Sequence, residues 1–228
     1  MAGALALLLL AGCSGEGRPA ATVTHSPAHS PAHSPAHSPA HSPAPTAPSA
    51  TVSASPNRAT PDRTDPRWRF FTRDRRPRTS PWFAGSHRVM IGYGCTVAPY
   101  YAHDPRCPGR QGFHHGIDVA MPCGTRLFSA VRGTVVDPAS AGAPGPAYGP
   151  YAFRVRTGGP AGWDVLVGHV HRVYVGPGDV VRPGQLVARA GDEGAPDGCH
   201  LHFEVRRAGT GLTGAVDPAP YLRLRPRG

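Results

Sequence analysis

Two histidines flank a single leucine in the stretch CHLHFEVR, and a glutamate follows two positions later: His200, His202 and Glu204. In a β-strand, successive side chains point to opposite faces, so these three residues would share one face and the intervening apolar residues the other. Two neighbouring imidazoles can bind a metal ion or transfer protons. A surface pair of this kind needs no metal, so the remaining residues must decide between these interpretations.

A second stretch, GFHHGIDVAMPCGT, carries His114 and Asp118, which lie four positions apart. In an extended chain both would point to one face, and His115 would point away. One histidine from HLH would complete three protein ligands and leave a fourth position for water, which is the pattern of a catalytic zinc site. A third cluster, LVGHVHR, supplies His169 and His171.

The elements that must position these side chains are predicted to be strands. Over residues 81–228, short runs of β-branched and aromatic residues alternate with glycine and proline, which indicates an all-β domain. The runs are RLFSAVRGTVV, YAFRVR, WDVLVGHV, RVYV, GQLVARA and HLHFEVR. The proline- and glycine-rich stretch at 137–151 predicts a surface loop between two strands.

These motifs, in their order, resemble the lysostaphin/LytM-type zinc metallopeptidases, which cut peptidoglycan cross-bridges. The resemblance covers about residues 89–221 and includes GIDVAMPCGTRLFSAVRGTVV, GHVHRVYVGPGDVVRPGQLVARAG and GCHLHFEVR. It implies an all-β fold: a curved antiparallel sheet whose groove holds the substrate peptide. It also implies Zn²⁺ held by His114, Asp118 and His202.

The same resemblance implies that His169 and His200 are catalytic histidines that do not bind the metal. Zinc at such a site lowers the pKa of a bound water and polarises the scissile carbonyl group. We expect His200 to act as the general base and His169 as the partner of the oxyanion, and the two roles are exchangeable at this stage. The expected function is that of a zinc endopeptidase acting on peptidoglycan stem peptides. The alternative is an inactive relative that binds the wall or activates another hydrolase.

One loop departs from the family pattern. The stretch GDEGAPDG carries Asp192, Glu193 and Asp197 where relatives tend to have Ser, Thr and Gly. In the family this loop borders the groove. Its acidity therefore either tunes the choice of cross-link or belongs to a solvated turn.

Residues 1–12 are almost wholly apolar and precede Cys13, and LLAGC resembles a bacterial lipobox. The run is too short for a stable membrane span but suits a signal peptide, after which Cys13 would receive lipid. No Lys or Arg precedes the run, and an ordinary secretory signal is the alternative. We expect an extracytoplasmic lipoprotein that is anchored in the membrane and faces the cell wall, or a secreted protein if Cys13 carries no lipid.

The chain contains five cysteines, so four remain when Cys13 is set aside. Four cysteines allow three pairings, and the sequence leaves all three open. An extracytoplasmic setting favours disulfides. We expect one disulfide between Cys95 and Cys107 and another between Cys123 and Cys199.

Residues 14–80 are interpreted as a linker. The repeated HSPA motif offers no large apolar side chain to bury, which favours disorder with extended polyproline character. The part from Arg58 to Arg78 holds eight arginines, three aspartates and interleaved aromatic residues. It would either dock on an anionic wall or lipid surface or place its aromatic residues on the following domain.

The net charge of +10 comes from arginine alone, because the chain contains no lysine. A positive balance favours anionic partners such as membrane phospholipid or wall polymers. For an exported protein we discount nucleic acid. The absence of lysine and the bias toward Ala, Gly, Pro and Arg suggest a GC-rich bacterium with a directly linked or short-bridged wall, so we expect cleavage of a D,D-type cross-link.

Overall fold

A computed structural model of the chain describes residues 64–159 and 161–227, and β-strands dominate these residues. The expected all-β class is confirmed, and one short α-helix, α1 (Ala219–Leu222), occurs among the described residues. The strands are β1 (Arg78–Ser80), β2 (Phe83–His87), β3 (Val89–Ile91), β4 (Gly94–Thr96), β5 (Gly112–His114), β6 (Gly116–Ala120), β7 (Arg126–Phe128), β8 (Gly133–Val135), β9 (Phe153–Thr157), β10 (Trp163–Gly168), β11 (Val170–Val173), β12 (Val180–Val181), β13 (Leu186–Ala190), β14 (His200–Arg207), β15 (Ala215–Val216) and β16 (Arg225–Pro226).

The strands form two large antiparallel sheets and one small one. An eight-stranded sheet has the order β12-β8-β9-β10-β14-β6-β3, with β15 paired to β14. A six-stranded sheet has the order β11-β13-β7-β2-β1-β16, and β4 pairs with β5 separately. Strand β14 therefore lies inside the eight-stranded sheet, where both of its edges are paired and its side chains are held firmly.

Alternation along β14 divides its side chains between the core and the functional face. Leu201, Phe203 and Val205 are buried in one apolar cluster with residues of the six-stranded sheet. The ring of Phe203 lies 4.8 Å from that of Trp82. Burial of each such side chain stabilises the fold by about 1.5–3 kcal/mol, which fixes the register that points the two histidines to the other face.

Two disulfides link segments beside the functional face. Cys95 is bonded to Cys107, and Cys123 is bonded to Cys199, which is the pairing that we expected. The first closes the loop between β4 and β5. The second joins the segment that follows β6 to the residue directly before β14, so it ties together the two strands that carry most of the site.

Part of the arginine-rich segment before residue 81 packs on the folded domain. Trp68 and Phe71 pack against buried residues of β3, and the Phe71 N–H donates a hydrogen bond to Met90 O at 2.8 Å. The domain boundary that we placed at residue 81 is therefore too late, because Trp68, Phe70 and Phe71 are partly buried against the domain. The rest of the expected linker, the HSPA repeat and Cys13 lie outside the described residues.

Within residues 64–159 and 161–227, no helix has the length and apolar character needed to cross a membrane.

Candidate metal centre

Three of the predicted site residues converge from three strands. His114 ends β5, Asp118 lies in the middle of β6, and His202 is the direct cross-strand partner of Asp118 on β14. The chain bends between β5 and β6, so the two halves of the HxGxD motif belong to different sheets. The spacing within the HxGxD motif keeps His114 close to Asp118, whereas the pairing of β6 with β14 places His202 beside Asp118.

The three donor atoms form a small triangle. His202 Nδ1 lies 2.8 Å from Asp118 Oδ1 and 3.3 Å from His114 Nε2. The third side, from His114 Nε2 to Asp118 Oδ1, measures 3.4 Å. Ligands about 2.0–2.1 Å from a tetrahedral zinc ion lie roughly 3.3 Å apart, so these residues fit one face of such a site. The three side chains are almost completely buried, and they form a group that could hold a metal ion.

Hydrogen bonds orient both imidazoles for this purpose. His114 Nδ1 lies 2.9 Å from Gly92 O, which leaves Nε2 to face the triangle. His202 Nε2 lies 3.3 Å from Glu204 Oε2, which leaves Nδ1 free for the same role. A carboxylate behind a metal-binding histidine is a common arrangement that fixes the tautomer. A Cβ atom at Gly116 would lie 2.7 Å from the His202 ring, which explains the glycine of the motif.

The carboxylate of Glu204 belongs to a buried polar network. Arg206 Nε donates to Glu204 Oε1 at 2.5 Å, and the Tyr148 hydroxyl donates to Oε2 at 2.9 Å. Burial raises the pKa of Glu204, but the hydrogen bonds from His202 and Arg206 outweigh it and lower the pKa to about 2. Glu204 is therefore ionised at neutral pH and presents a full negative charge to His202.

We expect Glu204→Gln to lower metal affinity by about 10–100-fold, because the neutral amide orients His202 less firmly. The change also leaves the Arg206 guanidinium buried without its counter-charge, at a cost of about 3–5 kcal/mol in unfolding free energy. Competition with a chromophoric chelator measures the affinity, and urea unfolding measures the stability.

Asp164→Asn is the matched control. Asp164 is an equally buried carboxylate that accepts hydrogen bonds from Arg156 at 2.7 and 2.8 Å, away from the three donors. Its loss should destabilise the fold but leave metal affinity unchanged. Equal losses of affinity in both variants would contradict a positioning role for Glu204.

The two predicted catalytic histidines flank the triangle. His200 Nε2 lies 3.6 Å from Asp118 Oδ1, and its Nδ1 lies 2.9 Å from Gly198 O. His169 Nδ1 lies 2.8 Å from Glu193 O, and its ring is 4.5 Å from the His200 ring. With Nδ1–H donating to a carbonyl oxygen, each neutral ring presents a basic Nε2. His171, on the next strand, is exposed instead.

The backbone and burial of His169 are unusual. Its φ of 56° lies in the left-handed region, which is uncommon for a residue other than glycine. The bend places it between β10 and β11, where its N–H donates to Tyr148 O at 2.9 Å. Burial lowers the pKa of His169 to about 3, and the neighbouring imidazoles of His200 and His202 add to this effect. The ring is therefore neutral across the physiological range.

The acidic loop before β14 takes part in the site instead of remaining solvated. Asp197 is buried, and its Oδ1 lies 3.7 Å from His200 Nδ1. Glu193 contributes its main-chain carbonyl oxygen to His169, whereas Asp192 forms an ion pair with Arg67 at 2.7 Å. The loop thus supports both histidines from behind.

The segment before β1 holds the same region from the other side. Asp65 Oδ2 accepts the Cys199 N–H at 3.1 Å, and the Trp68 indole N–H donates to Cys199 O at 2.6 Å. Both main-chain groups of the residue before His200 are therefore fixed by this segment. Sequence reasoning missed these contacts, since nothing in the local pattern pairs residues so far apart in the chain.

A cleft of about 420 Å³ opens over the donors. One wall comes from the loop closed by the Cys95–Cys107 disulfide and carries Tyr100 and Tyr101. The opposite wall comes from the loop between β8 and β9 and carries Tyr148. His115, which we expected to point away, lines the cleft without joining the three donors.

The sequence placed Glu204 on the face of the two histidines without giving it a role, and Arg206 and Tyr148 were missed. Glu204 and Arg206 continue the alternation of the HLH stretch. The pattern H-x-H-x-E-x-R therefore indicated a series of hydrogen-bonding side chains on one face of the strand. Tyr148 carried no such signal, because it lies in a stretch that reads only as a loop.

Comparison with known proteins supports the interpretation of this region. The model of peptidase family M23 matches residues 112–218, which include every predicted metal-binding and catalytic residue. This part of the chain is therefore similar to a peptidase domain of that family.

The chain is also similar to particular proteins. It is 34% identical over 120 residues to a protein named lipoprotein NlpD/LppB homolog from Pseudomonas aeruginosa, covering 53% of this chain and 37% of that protein's length. The catalytic domain of the antimicrobial peptidase lysostaphin from Staphylococcus simulans has 23% identity and a TM-score of 0.47, covering 60% of this chain and 92% of that one. A zinc-containing peptidase from Vibrio cholerae has 27% identity and a TM-score of 0.43, covering 65% and 39%.

Proposed function

We propose that this protein is a zinc-dependent endopeptidase that hydrolyses peptide cross-links of bacterial peptidoglycan. The observation that carries the proposal is the triangle of His114 Nε2, Asp118 Oδ1 and His202 Nδ1, with sides of 2.8–3.4 Å. His169 lines the cleft beside the triangle, the His200 ring lies 4.5 Å from the His169 ring, and the M23 family model covers all five residues.

The residues divide the work of amide hydrolysis among them. A zinc ion held by the three donors would polarise the scissile carbonyl and make an attacking water more acidic. His200 Nε2, 3.6 Å from Asp118 Oδ1, is placed to take the proton of that water and to pass it to the leaving amine. The His169 ring lies 4.5 Å from the His200 ring and 5.8 Å from the His202 ring. Because its Nδ1 is held by Glu193 O and the ring is neutral, its Nε2 accepts hydrogen bonds, so we propose it as a second proton acceptor beside His200 instead of the oxyanion partner.

The shape of the cleft suits an extended peptide. It is open to solvent, and its lining includes exposed apolar groups, with Tyr100 38% and Leu212 46% accessible. Such groups can pack against the apolar parts of a stem peptide, while the buried donors act on its backbone. We further propose that the substrate peptides belong to the wall, with a D,D-type link as the bond cut.

We also propose that the protein acts outside the cytoplasm as a lipoprotein. The signal-like residues 1–12 with Cys13, and the printed name of the Pseudomonas aeruginosa relative, support this location. Lipid on Cys13 would provide the membrane anchor, and the arginines between 58 and 78 would favour an anionic wall or lipid surface.

The decisive test is removal and return of the metal. The full chain is incubated with purified peptidoglycan, with and without a chelator, and newly exposed amino groups are counted. We expect release of amines by the metal-loaded protein, none after chelation, and recovery when stoichiometric Zn²⁺ is added back. The recovery step separates loss of the metal from inhibition by the chelator.

Absence of amine release by the metal-loaded protein on several wall types would contradict the proposal. If the same preparation still sediments with the wall, the inactive wall-binding alternative is supported instead. Release that is unaffected by chelation would place the activity elsewhere in the chain.

A further inference from the structure

Three arginines form a row across the six-stranded sheet. Arg172 on β11 is the cross-strand partner of Arg189 on β13, and Arg189 is the partner of Arg126 on β7. Direct partners in an antiparallel pair share one face of the sheet. Neighbouring strands lie about 4.8 Å apart, so the row extends over roughly 10 Å. Arg126 and Arg172 are exposed, and Arg189 is partly exposed.

The row lacks acidic partners. Among the described residues, no carboxylate lies within ion-pair distance of the three guanidinium groups. Their contacts are neutral: Arg189 donates to the Tyr174 hydroxyl and to Gly124 O, each at 2.8 Å. The Arg172 guanidinium lies 5.3 Å from the Tyr174 ring centroid. These contacts orient the guanidinium groups of Arg172 and Arg189 without neutralising them.

Stability of the fold does not explain this arrangement. Like charges placed directly opposite each other destabilise a sheet, and three arginines in a row form two such pairs. Some other arginines of the chain are paired, as Arg106 is with Asp104 at 2.7 Å and Arg156 with Asp164 at 2.7 Å. A row that is held in place and left unneutralised attracts anions.

We propose that the row Arg126–Arg189–Arg172 binds an anionic polymer with repeated phosphate groups. The planar guanidinium group forms paired hydrogen bonds with phosphate oxygens, which favours phosphate among anions. A single phosphate cannot reach both ends of a row of about 10 Å, whereas consecutive phosphates of one chain can contact successive strands. The site lies on a different sheet from the metal centre, so the proposal does not depend on peptidase activity.

A soluble polymer fits the surface better than a lipid bilayer does. Proteins that dock on a bilayer normally also insert apolar or aromatic side chains into the membrane interface. Beside this row the large exposed residue is Tyr174, and its hydroxyl is already engaged by Arg189. The surface therefore offers charge in a line and little apolar area.

The test uses the full chain and long-chain inorganic polyphosphate, with orthophosphate as the monomeric comparison. The variant combines Arg126→Gln, Arg172→Gln and Arg189→Gln. The matched control combines Arg132→Gln, Arg207→Gln and Arg225→Gln, three exposed arginines from other strands and loops that remove the same charge. We expect the row variant to bind polyphosphate at least about tenfold more weakly and to lose about 2 units of slope in a plot of log K against log salt.

Several results would overturn the proposal. Equal weakening in both triple variants would assign the binding to net charge. Equal affinity per phosphate for orthophosphate and polyphosphate would exclude a polymer site. Row-dependent binding to phosphatidylglycerol vesicles, without binding to polyphosphate, would identify a membrane surface instead.

Thermal unfolding checks the fold, and we expect no loss of Tm because the substitutions relieve repulsion. If the triple variant does not fold, Arg126→Gln alone must still weaken polyphosphate binding more than Arg132→Gln alone.

Discussion

Asp118→Asn abolishes metal binding and, with it, cleavage of peptidoglycan. The carboxylate oxygen Oδ1 lies 2.8 Å from His202 Nδ1 in the donor triangle, so it provides both a ligand atom and the negative charge of the centre. Asparagine keeps the shape of the side chain but removes that charge. Affinity should fall by more than the ~10–100-fold expected for an outer partner such as Glu204. Elemental analysis after dialysis and amine release from the wall measure the two effects.

Asp197→Asn is the control for this substitution. Asp197 is a second buried carboxylate beside His200, but it does not belong to the three converging donors. We expect it to retain its metal after dialysis. If Asp118→Asn also retained stoichiometric zinc while remaining folded by near-ultraviolet circular dichroism, the assignment of Asp118 as a ligand would be wrong.

The part of this site that could be predicted depends on short-range geometry. Alternation in CHLHFEVR places His200 and His202 on one face, and the H-x-G-x-D spacing keeps His114 close to Asp118 even though the chain bends between them. In both cases a few consecutive residues determine where the side chains point. The all-β class follows from the same local patterns.

The remainder depends on contacts between distant segments. Tyr148 is held at the cleft because its carbonyl accepts the N–H of His169, and Trp68 is held beside β14 because its indole N–H donates to Cys199 O. Neither contact has a local sequence pattern, since loops take their conformation from the surfaces on which they lie. The positive φ of His169 could not be predicted from local sequence either, because tertiary contacts hold a backbone conformation that the residue alone disfavours.

His200→Ala and His169→Ala should each lower kcat by about 10²–10⁴-fold while zinc remains bound. Neither residue belongs to the donor triangle, yet each has its Nδ1 held on a main-chain carbonyl oxygen, at Gly198 and Glu193 respectively. That shared geometry leaves a basic Nε2 on each ring. The pH dependence of kcat/KM then separates the roles, because loss of the general base removes the acidic limb of the profile.

His171→Ala is the matched control for both substitutions. It removes an imidazole two residues from His169 that is exposed and bonded to Ala190 O, outside the cleft lining. Activity close to that of the unmodified protein is expected. Comparable losses in all three alanine variants would mean that the histidines act through the strands that carry them. Unchanged activity in His200→Ala, with metal retained, would exclude His200 as the general base and assign the proton transfer to His169.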